Sequence, residues 1–132
     1  MSGTGLPTLR DIAFAAAGGA VGASIRWALL EATADPDGGV AGPVLLANVV
    51  GCAFLGLLVG RGVAGSSRLL LGVGLCGGLT TFSTFAVEVA GALRSEDLSG
   101  AVVYTVLSVV GGLGAFALGR RTGRATAGRP SC

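Results

Sequence analysis

Four stretches of the chain are almost free of charge. Residues 12–30 (IAFAAAGGAVGASIRWALL) hold one charged side chain, Arg26. Residues 44–60 (VLLANVVGCAFLGLLVG) hold none, and one amide, Asn48. Residues 69–93 (LLLGVGLCGGLTTFSTFAVEVAGAL) hold one charge, Glu88, and residues 101–119 (AVVYTVLSVVGGLGAFALG) hold none. Each run is close to the ~17–25 residues that a helix needs to cross the hydrocarbon of a bilayer. The pattern predicts an all-α membrane protein. It is one domain, residues 1–132, of four transmembrane helices with short connections and no soluble domain. The third run is the longest and contains an interruption, CGGLTTFSTF at residues 76–85.

Composition agrees. Of 132 residues, 52% are hydrophobic and 12% charged, too little polar surface for a soluble domain of this size. The 25 glycines would suggest disorder in a polar chain. In an apolar one they suggest close helix packing. Gly18/Gly22, Gly56/Gly60 and Gly74/Gly78 are each four apart, and Gly111/Ala115 repeats the small-xxx-small spacing. Each helix therefore has a face suited to a neighbour. Four short helices enclose little space, so an oligomer is expected. The first run is too long for a signal peptide core, and Arg26 and Trp27 stand where small cleavage-site residues belong.

All nine basic residues are arginines. Four crossings place Arg10, Arg61, Arg68, Arg120, Arg121, Arg124 and Arg129 on one side. The other side receives Arg94, the acids Glu31, Asp35, Asp37, Glu96 and Asp97, and Arg26 near its helix end. The positive-inside rule puts both termini in the cytoplasm. The arginine-rich tail is read as this orientation signal, with no nucleic-acid partner. Cys52, Cys76 and Cys132 form no ligand pattern, and the first two are read as small apolar filler. Without histidine, a haem anchor or a His-based zinc site is disfavoured.

Polar groups inside lipid need partners or water, which makes each a candidate for function. Asn48 is either interhelical glue or an anion donor. Arg26 either snorkels to the interface or raises anion concentration at a pore mouth. Tyr104 and Ser108, four apart, share a helix face; they either bond to their own helix or form a row of donors. Glu88 would repel an anion unless protonated or paired, and proton coupling is a further use. The interruption is the most informative. Gly77-Gly78 is a weak point in a helix, and Thr80 and Thr81 are good N-caps for a helix restarting near Phe82. A mid-membrane break at 77–81 frees carbonyls that suit a cation and N–H groups that suit an anion. Phe82 and Phe85 face the same way, with positive ring edges. The competing reading is a glycine-kinked helix with packing aromatics.

GGAVGASIRW (18–27), GPVLLANVVGCAFLG (42–56), GLCGGLTTFSTFAVE (74–88) and the Tyr104/Ser108 helix together resemble the small bacterial fluoride channels, the Fluc or CrcB family. The resemblance covers nearly the whole chain in order. It implies transport, not catalysis: passive fluoride export across the bacterial inner membrane through two pores of an antiparallel dimer. It implies a structural sodium ion at the dimer centre, held by the carbonyls of Gly77 and Thr80. Asn48, Phe82 and Phe85 match pore residues. Ser83, Thr84, Tyr104 and Ser108 match, less securely, polar groups along the path. Arg26 matches a vestibule arginine, and Glu88 a helix-3 glutamate. Single-gene members carry little charge bias, whereas this chain carries a strong one. A heterodimer with an oppositely oriented paralogue is therefore expected. A small four-helix multidrug exporter is the runner-up, but that class depends on a carboxylate within helix 1, where this chain has only Asp11 at the edge. A non-transporting anchor subunit would leave the polar groups of helix 3 unexplained.

Overall fold

The computed structural model describes residues 6–33 and 41–128. Asp35, Asp37, Arg129 and Cys132, used in the charge and cysteine readings, lie outside the described residues, as do both chain ends. Helix α1 spans Leu9–Thr33 and α2 spans Ala41–Gly60. Helix α3 (residues 65–79) is continuous but changes its winding: Gly65–Ser67 is α-helical, Arg68–Cys76 is a π-helix, and Gly77–Leu79 is α-helical again. Two extended residues follow. Then α4 spans Phe82–Arg94 and α5 spans Leu98–Ala127. With α3 and α4 taken as one interrupted span, four helices are long and apolar enough to cross a membrane. The chain is an all-α membrane protein whose third span is broken near its middle.

The helices outrun the apolar windows because their polar flanks cap them. The Asp11 carboxylate accepts from Thr8 N at 3.0 Å, and Thr8 Oγ1 accepts from Asp11 N at 3.2 Å. This reciprocal box starts α1 at Leu9. Asp97 caps α5 by accepting from Gly100 N at 2.8 Å and Ser99 Oγ at 2.9 Å. Those donors hold its carboxyl below the usual carboxylate range. Helix α4 ends where Asp97 N donates back to Ala92 O and Glu96 takes a left-handed conformation, φ 61°. At about 1.5 Å per residue, the 30-residue α5 is about 45 Å long, against a hydrocarbon core of about 30 Å. Its last turns, bearing Arg120, Arg121 and Arg124, therefore project beyond the core. Arg61 Nε donates to Thr126 Oγ1 at 3.3 Å, which fixes the α2 and α5 C-termini at the same end of the bundle. That end is the basic one.

Packing rests on two helix pairs in which main chain touches main chain. A Cβ added to Gly18 or Gly22 of α1 would overlap the Leu70 or Leu75 carbonyl of α3. One added to Gly74 or Gly78 of α3 would run into Ala15 O or Gly19 O of α1. The two expected motifs thus face each other. Gly18 also presses on Leu70 and Leu75 main-chain atoms five residues apart, the spacing of a π-turn. The second pair is α2 with α5. Cβ atoms on Gly56 and Gly60 would overlap the carbonyls of Phe116 and Arg120. Their counterparts are Gly119 and Gly123, which would collide with Ala53 O and Leu57 O. The expected Gly111/Ala115 face does not make this contact: a Cβ on Gly111 would meet only the Val49 side chain, at 3.6 Å. The close approach lies two turns further on, at the end of the apolar window and beyond it.

Glycine-to-alanine substitutions at Gly18 or Gly56 are expected to destabilise the protein by at least about 1–3 kcal/mol, because backbone must shift to admit the methyl group. Gly114→Ala should be near neutral, since nothing lies within 4 Å of its Cβ position. Thermal unfolding in detergent, followed by loss of the monodisperse peak, separates the two classes.

Candidate functional site at the helix break

Both glycines of the CGGLTT segment are helical, contrary to the expectation that they open the break. Gly78 serves instead as a contact glycine against α1. The chain leaves the helix at Thr80 (φ −80°, ψ 153°) and Thr81 (φ −145°, ψ 125°), and restarts at Phe82. The break is therefore two residues long, and neighbouring helices tie off its backbone.

Arg26 of α1 points into the bundle, where its Nη1 donates to the Thr80 carbonyl at 3.0 Å. Asn48 of α2 takes both polar groups of the next residue. Its Oδ1 accepts from Thr81 N at 2.8 Å, and its Nδ2 donates to Thr81 O at 3.1 Å. This double pairing fixes the amide's orientation. It also diverts the Thr81 N–H that a continued helix would give to the Gly77 carbonyl. One Nδ2 hydrogen of Asn48 remains uncommitted to Thr81. Glycine at 51 makes room for this approach, since a Cβ there would strike the Thr80 methyl.

Thr81 is 8% exposed, the one buried polar residue among those described. Its Oγ1 caps α4 by accepting from Thr84 N at 3.2 Å. The same oxygen lies 3.2 Å from both Ser83 Oγ and Thr84 Oγ1. Three hydroxyls thus share two mutual bonds, so one of their three protons is left to donate outward. Thr80 closes back on its own helix, with its Oγ1 donating to Cys76 O at 2.9 Å.

The aromatic residues gather on the α4 side. Phe82 and Phe85 have ring centroids 5.9 Å apart at 42°. Phe85 stacks on Tyr104 of α5 at 5.4 Å and 28°. Phe82 is 80% exposed, so its ring faces out of the subunit. Tyr104 Oη and Ser108 Oγ are buried and hydrogen-bonded to no group among the described residues. Neither is bonded to its own helix. Asn48, Thr80, Thr81, Phe82, Phe85 and Ser108 line one groove of about 430 Å³. Glu88, half-buried, lies on α4 two turns beyond Thr81.

The structure therefore brings Asn48, Phe82, Phe85, Ser83, Thr84, Tyr104 and Ser108 around one break, and adds Arg26 from inside. Thr81, expected as an N-cap, also holds the hydroxyl cluster together, and Gly51 was absent from the candidate residues. The capping spacing signals Thr81; nothing in the sequence signals Gly51's role.

Asn48→Leu is expected to cost about 1–3 kcal/mol for each Thr81 group left unpaired. Amide hydrogen exchange should accelerate in peptides covering residues 80–85, while peptides in α1 remain protected. Unchanged exchange there would show that the break is held by other groups.

A family model described as CrcB-like protein, Camphor Resistance (CrcB), matches residues 13–120. The chain is 47% identical over 106 residues to "Fluoride-specific ion channel FluC 2" of Rhodococcus jostii, covering 80% of this chain and 92% of the relative. It is 45% identical over 115 residues to "Fluoride-specific ion channel FluC 1" of the same organism, covering 86% of each. A "Fluoride-specific ion channel FluC 2" of Parasynechococcus marenigrum is 40% identical over 116 residues, covering 88% of this chain and 83% of the relative. A match across both glycine-packed helix pairs and the whole broken span makes the chain a member of the CrcB family.

Proposed function

We propose that the chain is a subunit of a passive, fluoride-selective channel that releases cytoplasmic fluoride through the bacterial inner membrane. The observation that carries this reading is the set of uncommitted neutral donors around the break. They are the second Nδ2 hydrogen of Asn48, the spare proton of the Thr81–Ser83–Thr84 cluster, and the hydroxyls of Tyr104 and Ser108. The relatives named as fluoride-specific channels support it. Fluoride is small and strongly hydrated, so a path for it must replace several water hydrogens at close range. Ring edges of Phe82 and Phe85 add weakly positive surface without full charge. Neutral donors let the ion leave again, which a facing guanidinium would oppose. Arg26, bonded to Thr80 O, acts here by holding the break and making its surroundings positive. The acids of α1 lie in its first and last turns, Asp11 and Glu31, with none in the apolar stretch between them, and nothing observed favours the exporter reading.

The expected sodium site is compatible with the backbone geometry. Gly77 O loses its helical donor to Asn48, and Thr80 O keeps a second lone pair beside the Arg26 bond. A sodium ion bound there would supply positive charge and tie two breaks together. Two oxygens per subunit leave the remaining ligands to a second subunit, in keeping with an antiparallel dimer. The basic end of the bundle argues for a single orientation with cytoplasmic termini, and hence for a partner of opposite bias. Two numbered relatives in Rhodococcus jostii fit such a pairing.

Liposomes loaded with potassium fluoride, carrying the protein with an oppositely biased homologue, should lose fluoride rapidly when valinomycin balances charge. Chloride-loaded vesicles should retain their anion. Ser108→Ala should slow fluoride loss roughly fivefold, the effect of one hydrogen bond of about 1 kcal/mol. Retention of fluoride in the presence of sodium and the homologue would refute the channel.

A reporter fused after the last residue should give signal only on the cytoplasmic side of the membrane. Equal signal on both sides refutes a fixed orientation, and fluoride loss from vesicles holding this chain alone refutes an obligatory partner.

A further inference from the structure

Two thiols in the groove wall have no part in the fluoride reading. Cys52 of α2 and Cys76 of α3 both line it, and both are free thiols. Cys76 is 3% exposed. Cys52 is half-buried, with its Sγ 3.4 Å from where a Cβ on Gly112 of α5 would stand. The α3 main chain meets α2 one residue before it, since a Cβ on Gly51 would lie 3.9 Å from Cys76 O. What thiols add is affinity for soft cations. Among the described residues lining the groove there is no carboxylate or imidazole, so a harder cation finds no competing side-chain anion there.

We propose that Cys52 and Cys76 form a two-thiolate site for a soft univalent cation of the silver(I) or copper(I) class, and that filling it closes the groove to anions. The closing half rests on the fluoride reading; the binding half does not. Binding converts two thiols and one cation into an S–metal–S bridge of net charge −1 and releases two protons. No atom changes oxidation state. The bridge leaves a negative charge in a groove that otherwise offers neutral donors, and like charges repel strongly where water is scarce. The cation therefore inhibits by making the path repel its ion as well as by filling it.

Silver nitrate is the probe, in chloride-free medium, on purified protein carrying C132S. One silver ion per chain should bind with release of two protons. C52S and C76S should each lose the two-proton stoichiometry and bind more weakly by over the roughly 10–100-fold that loss of a supporting partner costs a metal site. C52A and C76A repeat the measurement in case a serine variant fails to fold. Unchanged affinity in the double variant overturns the site, as does full affinity in either single variant. In liposomes, silver should slow fluoride loss by at least about tenfold, and should leave the double variant at its own silver-free rate. Silver bound with two protons but without effect on fluoride loss overturns the closing half. A parent protein that passes no fluoride before silver is added counts against the channel reading, while the titration still decides the thiol site.

Discussion

A peptide group that leaves its helix inside hydrocarbon must find a partner in the protein, because lipid offers none. The two extended residues between α3 and α4 place several such groups in mid-span, and each unpaired one would cost about 1–3 kcal/mol. Their partners come from three directions. Arg26 reaches from α1 to Thr80 O, Asn48 reaches from α2 to both sides of Thr81, and Thr81's own hydroxyl caps α4. These bonds form only if α1 and α2 stand close to the break. Closeness is in turn set by glycines: Gly22 and Gly78 for α1, Gly51 for α2. Packing, backbone satisfaction and site geometry are one linked requirement.

The break also separates charge from contact. Arg26 beside it is bonded to a carbonyl, and the polar lining of the adjoining groove is an amide and hydroxyls, set among phenyl rings, thiols and aliphatic side chains. Neutral donors individually bind a small anion more weakly than a guanidinium does. Several of them together can replace its hydration without trapping it. The stacking of Phe85 on Tyr104 fixes both rings at once, so the Tyr104 hydroxyl and the ring edges of α4 are placed by a single contact.

Much of this was legible in the sequence, for physical reasons. Apolar length marks spans because the bilayer has a thickness, and the Thr-Thr-Phe run marks a restart because N-caps need a side-chain oxygen at a set position. The glycine pair at 77–78 misled because the same residue type serves flexibility and close contact, and only a neighbour's position tells them apart. The close-packed face of α5 was missed for a related reason. Gly119 and Gly123 lie where arginines begin, so a hydropathy window ends before their packing does. Arg26 allowed two readings as a lone charge; its inward bond depends on where α3 breaks relative to α1. The π-helical winding of Arg68–Cys76 has no local signature; its Leu70–Leu75 turn lies where Gly18 of α1 presses on it.

The order of the close pairs, α1 with α3 and α2 with α5, bears on how the protein is made. A chain emerges from the ribosome N-terminus first. By the time α3 is complete, α1 has its mate. Helix α2 meets α3 at Gly51, but the mate of its Gly56/Gly60 face comes only with the thirty residues of α5. Asn48 sits on that waiting helix. The break thus gains its full support from α2 only once α5 has been made and packed against that helix.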